Sequence, residues 1–388
     1  MYNIKTLNAI SPVYRDVLSD SEFSVGAEIE NPDAIIVRSA SMHEMTPGEA
    51  LLAVGRAGAG YNNIPTDAFG KKGIVVFNTP GANANAVKEL AVAALLLASR
   101  DIVGGIEWAK TLKGRGAEVS KLVEKGKSQF VGPELKGKTI GIIGLGGVGG
   151  LVANAAEDLK MRVLGYDPYI SVDNAWKLSR KIIHVTSQDE MLPQCDYISI
   201  HVPLMDSTRG SFNAEVFSKM KEGASLINLA RGELVNNDDV LAALKSGQLR
   251  RYVTDFPADE VIGEAGVVAI PHLGASTPES EDNCVDMVSR QLEDYLKFGS
   301  IVNSVNYPAC PLSSSFKYRL TALHANVPNT VGSITSFIAE QGVNIDNMVN
   351  KSRGEFAYTV IDLDEPVSPE TIARIEALSF IYRVRYFD

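Results

Sequence analysis

Residues 139–149 constrain this chain most. Thr139-Ile-Gly-Ile-Ile143 is a short apolar, β-branched run, and Gly144-Leu-Gly-Gly-Val-Gly149 follows it directly. A G-x-G-x-x-G alone says little in a chain with 33 glycines. Its setting makes it specific: a strand pattern ahead of it, the helix former Leu151-Val-Ala-Asn-Ala-Ala156 behind it, and Asp167 at the end of the next apolar run. Gly144 permits a tight turn, Gly146 lets backbone approach a pyrophosphate, and Gly149 lets helix and strand pack closely, with the helix N-terminus offering amides to the anion. Asp167 is placed to accept from adenosine ribose hydroxyls. Its charge repels a 2′-phosphate and Pro168-Tyr169 supplies no arginine, so the expected cofactor is NAD rather than NADP.

The rest of the chain repeats this alternation. Ile4–Leu7, Ala34–Arg38, Leu51–Gly55 and Ile74–Phe77 are apolar runs separated by helix-sized spacers, as in a parallel sheet covered on both faces. A second series runs through Thr139–Ile143, Arg162–Tyr166, Tyr197–His201, Ser225–Leu229, Tyr252–Thr254 and Val267–Ile270. After the Pro- and Ser-rich stretch 307–315, the remainder reads β-α-β-β-α-β. The expected fold is α/β: two doubly wound parallel-sheet domains, Rossmann- or flavodoxin-like, and a C-terminal ferredoxin-like module. Ala86–Arg100 is apolar nearly all round, which suits a buried or subunit-interface helix and favours a homo-oligomer, dimer or tetramer.

Composition removes several functions. Lys+Arg 37 against Asp+Glu 47 gives a net charge of −10, and no basic stripe stands out, so nucleic acid is not an expected partner. The three cysteines have neither metal-knuckle spacing nor disulfide density, so no metal site is expected and a reducing compartment is the simplest setting. The N-terminal residues lack a signal-peptide pattern and the longest apolar run, Leu90–Ala98, is too short to span a bilayer. These features predict a soluble, cytoplasmic protein without a membrane partner.

Ligands of doubly wound sheets lie at the carboxyl ends of the strands. Arg231 ends one apolar run, Asp255 another and His272 a third, with Glu260 five residues beyond Asp255. A cation for a carboxylate, a base for a hydroxyl and a carboxylate to steady the imidazole are what hydride transfer at a hydroxy acid requires.

Five segments carry a resemblance: Asn78-Thr-Pro-Gly-Ala-Asn83, Gly144–Gly149, Asn228-Leu-Ala-Arg-Gly-Glu233, Asp255-Phe-Pro-Ala-Asp-Glu260 and Pro271-His-Leu-Gly-Ala-Ser-Thr277. In these the chain resembles the NAD-dependent D-isomer-specific 2-hydroxyacid dehydrogenases. The resemblance implies His272 as general acid/base, Glu260 as its partner, Arg231 as anchor of the substrate carboxylate and carbonyl, and Asp255 as holder of the nicotinamide carboxamide. It implies that Gly147 and Val148 lie on the pyrophosphate and that His201-Val202-Pro203, Leu229, Ala230, Gly274 and Ala275 border the nucleotide. Gly55-Arg-Ala-Gly58 and the C-terminal module are similar to the branch that oxidises 3-phospho-D-glycerate at the start of L-serine biosynthesis. The loop Ala57, Gly58, Ala59 and Gly60 is then the site of the substrate carboxylate, and Arg38 and Arg56, each at a strand end, are candidates for the phosphate.

Leu320–Pro328 and Glu340–Ile345 resemble an ACT domain, a ligand-sensing fold. This implies a serine effector site at Asn326 and Asn344, with His324 nearby, although Asn329 stands where serine-responsive members usually carry glycine. The implied division is a discontinuous substrate-binding domain over 1–97 and 285–308, an NAD-binding domain over 98–284 and a regulatory or assembly domain over 309–388. Two other functions share these features: a dehydrogenase for a different D-2-hydroxy acid, and an NAD-sensing binding protein in the manner of corepressors.

Overall fold

A computed structural model describes residues 1–388. The chain divides into two compact units, Met1–Asn83 with Pro278–Asp388, and Ala84–Thr277. No helix is long and apolar enough to cross a membrane.

The first unit opens with β1 (Tyr2–Leu7), β2 (Phe23–Gly26), β3 (Ala34–Val37), β4 (Ala53–Arg56), the short α1 (Thr66–Gly70) and β5 (Val75–Phe77). They form a parallel sheet in the order β2-β1-β3-β4-β5. Alternation explains the continuous apolar runs. Ala34 and Ile36 join one core with Ala53, Val75 and Phe77, whereas Ile35 and Val37 join another with Val54 and Val76 on the opposite face.

The second unit begins with α2 (Ala84–Ser99), α3 (Ile102–Lys110) and α4 (Val119–Gly126). Then follow β6 (Thr139–Ile143), α5 (Gly147–Asp158), β7 (Arg162–Tyr166), α6 (Val172–Trp176), β8 (Ile183–His184), α7 (Gln188–Met191) and β9 (Tyr197–Ile200). It closes with α8 (Ala214–Lys219), β10 (Ala224–Asn228), α9 (Asn237–Ser246), β11 (Leu249–Thr254) and β12 (Val267–Ala269). All seven strands are parallel in the order β12-β11-β10-β9-β6-β7-β8. The chain direction of the series reverses between β6 and β9, so that point opens the ligand crevice. Val87, Ala91, Ala94, Leu95 and Ala98 of α2 pack into this unit's core beside Ile140, Ile142, Val152 and Ala153. That packing carries α2 with the nucleotide sheet. The units therefore divide at 83/84 and 277/278, ahead of the expected 97/98 and 284/285.

The chain returns to the first unit through α10 (Pro278–Phe298), followed by β13 (Tyr318–Ala325), α11 (Thr330–Glu340), β14 (Ile345–Arg353), β15 (Phe356–Leu363), α12 (Pro369–Glu376) and β16 (Ile381–Phe387). The last four strands form an antiparallel sheet ordered β14-β15-β13-β16, the ferredoxin-like arrangement. One face packs on its own helices through Leu320, Ala322, Ile334, Ile338, Ile361 and Ile375. The other does not meet water: Leu323, Tyr358 and Val360 join Val288, Leu292 and Tyr295 of α10 in the core of the first sheet. By packing, residues 309–388 belong to the first unit. Asn329 adopts φ +66°, a left-handed conformation that Asn tolerates better than most residues, so the missing glycine is accommodated.

Arginines secure that seam. Arg319, 1% exposed, pairs with Asp362 through two bonds of 2.6 and 3.1 Å. Its Nη1 also donates to the carbonyls of Phe298 and Ser313, at 2.9 and 3.0 Å. Arg385 donates to the carbonyls of Tyr295 and Leu296, and Tyr358 to that of Gly299. The last carbonyls of a helix lack partners inside it. Here the C-terminal module provides them, with positive charge at the favourable end of the α10 dipole. Removing one partner of a buried pair strands the other charge. Arg319→Met should cost ~3–5 kcal/mol in urea unfolding, and adding Asp362→Leu should recover much of the loss; a single-variant effect below ~0.5 kcal/mol would contradict this role.

Candidate active site

The turn between β6 and α5 is built by steric exclusion. Gly144 has φ +89°, and a Cβ there would lie 2.6 Å from the His201 carbonyl oxygen. A Cβ at Gly149 would lie 1.9 Å from the carbonyl oxygen of Gly144, so only glycine lets α5 start this close to the strand. Gly146 is the contrast: nothing lies within 4 Å of its missing Cβ. It caps α5 with no side-chain cap, leaving the first amides of the helix, Gly147, Val148 and Gly149, without an intrahelical acceptor. An uncapped helix start facing open space at a switch point suits a dinucleotide pyrophosphate. Asp167 sits at the end of β7 with Oδ2 accepting from Leu145 N–H at 2.8 Å and Oδ1 from Tyr169 N–H at 2.9 Å. These bonds fix the carboxylate and leave each oxygen a lone pair for ribose hydroxyls. His201 and Val202 pack against the Gly144 turn. Burial pushes the His201 imidazole down to about 4, and its Nε2 meets Ser199 Oγ at 2.9 Å, so the ring is a neutral wall of the cradle.

A cleft of about 610 Å³ lies at the ends of β10 and β11 and includes Gly232, Asn237, Asp255, Phe256, Glu260 and His272 in its walls. Buried Asn228 shapes its rim: its amide donates to the Arg231 carbonyl at 2.8 Å and accepts from Ala230 N–H at 3.2 Å. The chain therefore turns away from the strand and leaves Arg231 extended and exposed. Across the cleft His272 has φ +32°, a strained conformation for a side chain of that size, while its N–H donates to the Asp255 carbonyl at 2.9 Å.

Asp255 is 1% exposed. Its Oδ2 accepts from Gly274 N–H at 3.1 Å, and its Oδ1 is buried without a partner. Burial raises the Asp255 carboxyl above its ordinary value, against the lowering effects of the Gly274 amide, His272 and Arg231. An orphaned buried acceptor demands a donor, and the amide of a nicotinamide is one. The Phe256 ring neighbours both groups, 4.6 Å from the His272 ring and 5.9 Å from the Arg231 guanidinium carbon. Glu260 faces the same cleft, but it bonds to Asn237 Nδ2 at 3.5 Å rather than to His272.

Residues 92–275 match the family model for the NAD binding domain of D-isomer specific 2-hydroxyacid dehydrogenases. The chain is 32% identical to the human D-3-phosphoglycerate dehydrogenase over 329 residues, 80% of this chain and 59% of that protein. It is also 32% identical over 345 residues to the enzyme of that name from Methanocaldococcus jannaschii, 87% of this chain and 62% of that one. A solved NAD+-bound 3-phosphoglycerate dehydrogenase from Entamoeba histolytica is similar with a TM-score of 0.61 and 27% identity, covering 79% of this chain and 98% of that one. The chain belongs to the D-isomer-specific 2-hydroxyacid dehydrogenase family. It spans about three-fifths of the length of the human relative, and its cofactor is NAD.

In the first unit of this dehydrogenase-family chain, Arg38 follows β3 and Arg56 ends β4, at neighbouring carboxyl ends. Arg38 is paired with Glu281 in the first turn of α10. Between them runs the loop Ala57–Gly60, held by Asn78 Nδ2 on the Ala59 carbonyl at 2.7 Å and by Thr79 N–H on the Gly58 carbonyl at 3.1 Å. The candidate effector residues do not converge within one chain. Asn326 bonds to the Gly354 carbonyl at the β14–β15 turn, whereas Asn344 precedes Ile345 and lies at the Leu363 end of the same sheet. That is a separation of roughly 25 Å along the strands. A site using both needs two copies of the module. His324 is buried, its Nε2 2.8 Å from Thr359 Oγ1, and burial lowers its pKa. Phe256 lies inside one of the family-like segments with no role implied for it, and Glu281 carries no motif signal; only the folded chain reveals their neighbours.

Two outcomes test the cradle. Gly146→Ala should leave the apo melting temperature unchanged while weakening NADH binding by at least about tenfold in a fluorescence titration, since its methyl group projects only into the space a pyrophosphate needs. Because Asp255 ionises less readily folded than unfolded, its charge costs stability as pH rises above the carboxylate range. Asp255→Asn should therefore raise the apo melting temperature at pH 7, lose that advantage near pH ~4, and bind NADH more weakly.

Proposed function

We propose that the protein catalyses the NAD-dependent oxidation of 3-phospho-D-glycerate to 3-phosphohydroxypyruvate, the first step of L-serine biosynthesis. The observation that carries the reading is the single cleft in which orphaned Asp255, Phe256, Glu260 and His272 meet at successive strand ends, with Arg231 at its rim. The similarity to phosphoglycerate dehydrogenases supports the substrate. Bound NAD supplies the hydride acceptor. Arg231 holds the substrate carboxylate and polarises the oxygen that becomes a carbonyl. His272 takes the hydroxyl proton as the hydride leaves C2, and in the reverse direction returns it. Glu260 stabilises the resulting imidazolium once it exchanges Asn237 for His272 within the cleft that both residues line. The Phe256 ring packs on both imidazole and guanidinium and gives the cleft an apolar wall. Arg38 and Arg56 are assigned to the phosphate and the amides of residues 57–60 to the carboxylate.

The pairing of Arg38 with Glu281 favours a second reading, an unphosphorylated D-2-hydroxy acid as substrate. We further propose a cytoplasmic homo-oligomer. Ile102, Val103 and Ile106 of α3 and Leu96 of α2 leave apolar surface exposed, and the three cysteines are buried thiols.

The deciding experiment follows NADH oxidation with 3-phosphohydroxypyruvate beside hydroxypyruvate, pyruvate, glyoxylate and 2-oxoglutarate. The proposal expects the phosphorylated acid to have the highest kcat/KM and His272→Ala to lose at least ~100-fold in kcat with NADH binding retained. Preference for an unphosphorylated acid supports the second reading, and binding of NADH without any turnover supports a sensor.

A further inference from the structure

Resting on the reading of Arg38 as a phosphate ligand, we propose that Glu281 is an internal counter-ion of that site, an anion surrogate that must leave when a substrate phosphate arrives and so sets discrimination between phosphorylated and unphosphorylated acids. Glu281 lies in the first turn of α10, while Arg38 follows β3, and 243 positions of sequence separate them. Their side chains form an ion pair, and each remains more than a third exposed, 38% and 39%. The pair is therefore open to an incoming anion rather than sealed in the core. Arg38 follows β3 and Arg56 ends β4, where Val37 and Arg56 are register partners, so both guanidinium groups stem from neighbouring carboxyl ends of the sheet. Those ends are where ligands enter sheets of this kind.

The chemistry of the pair defines what displaces it. A guanidinium presents a planar fork to a carboxylate or to two phosphate oxygens in the same way. The Glu281 carboxylate thus marks the position of an oxyanion on Arg38. Half-exposed ion pairs are weak, so the contact is exchangeable. After exchange, Glu281 faces a phosphate carrying nearly two charges, and repulsion of that group is larger than repulsion of a neutral hydroxymethyl group at the same place. The consequence is a phosphate site held below its full affinity, with Arg38 oriented in advance and never left as an unpaired cation.

The test compares wild type, Glu281→Gln, Arg38→Ala and the double variant, using 3-phosphohydroxypyruvate and hydroxypyruvate as substrates. Glu281→Gln keeps the side-chain shape and removes the charge. The expected result is a fall of about fivefold in KM for the phosphorylated acid relative to hydroxypyruvate, and no such fall when Arg38 is already Ala. An equal change for both substrates, or a rise in KM for the phosphorylated acid alone, overturns the proposal and makes Glu281 an orienting residue only. If wild type turns over no phosphorylated acid, the substrate reading fails by itself. The counter-ion is then judged by inorganic phosphate, which should raise the melting temperature of Glu281→Gln more than that of wild type and leave Arg38→Ala unaffected. Equal shifts in wild type and Glu281→Gln overturn it.

Discussion

The rest of this structure depends on one close approach, the start of α5 against the carboxyl end of β6. No side chain fits at residue 149, where a methyl group would lie 1.9 Å from the Gly144 carbonyl oxygen. With glycine there, the helix begins at the switch point of the seven-stranded sheet and points its free amides into the crevice. The neighbouring strands inherit their duties from that choice. β7 ends in Asp167, β9 leads into the His201 wall, β10 ends at the Asn228 turn that projects Arg231, and β11 ends in Asp255. An anion-binding helix start and an orphaned buried carboxylate are complementary devices, one supplying donors and the other lacking one.

A second organising element is α10, whose last carbonyls are taken by Arg319, Arg385 and, one residue beyond, by Tyr358 acting on Gly299. These bonds make the ferredoxin-like sheet part of the first unit's core rather than a tethered appendage. Arg319 alone touches the helix end, the connecting segment and two strands of the sheet. The first turn of the same helix carries Glu281, so one element bears both the seam with the C-terminal module and the charge opposite Arg38.

Much of this was readable in the sequence because it is local. The β6–α5 turn needs glycines at fixed spacing, and the interior strands are apolar on both faces, as at Ala34–Val37. Edge strands escaped: β2 and the two-residue β8 are short and partly exposed, and their composition resembles that of loops. The stretch 110–130, whose mixed charge suggests a solvated connection, contains α4 with no buried residue, and its Phe130 packs on Trp108 at 5.4 Å between ring centroids. Arg231, Asp255, Glu260 and His272 were legible as strand-end residues, but the orphaned oxygen of Asp255 and the attachment of Glu260 to Asn237 are three-dimensional facts. The buried second face of the C-terminal sheet did leave a trace. β15, Phe356-Ala-Tyr-Thr-Val-Ile-Asp-Leu363, does not alternate apolar with polar as a one-sided antiparallel strand would.

The central claim is that this cleft moves a hydride from C2 of a D-2-hydroxy acid directly to the nicotinamide while His272 takes the hydroxyl proton. The most direct measurement uses 3-phospho-D-glycerate deuterated at C2, with NAD and a hydrazine trap for the keto acid, followed by NMR of the recovered NADH. Deuterium at nicotinamide C4, with the L-isomer inert, is the predicted result; NADH free of deuterium, or no NADH at all, would contradict it.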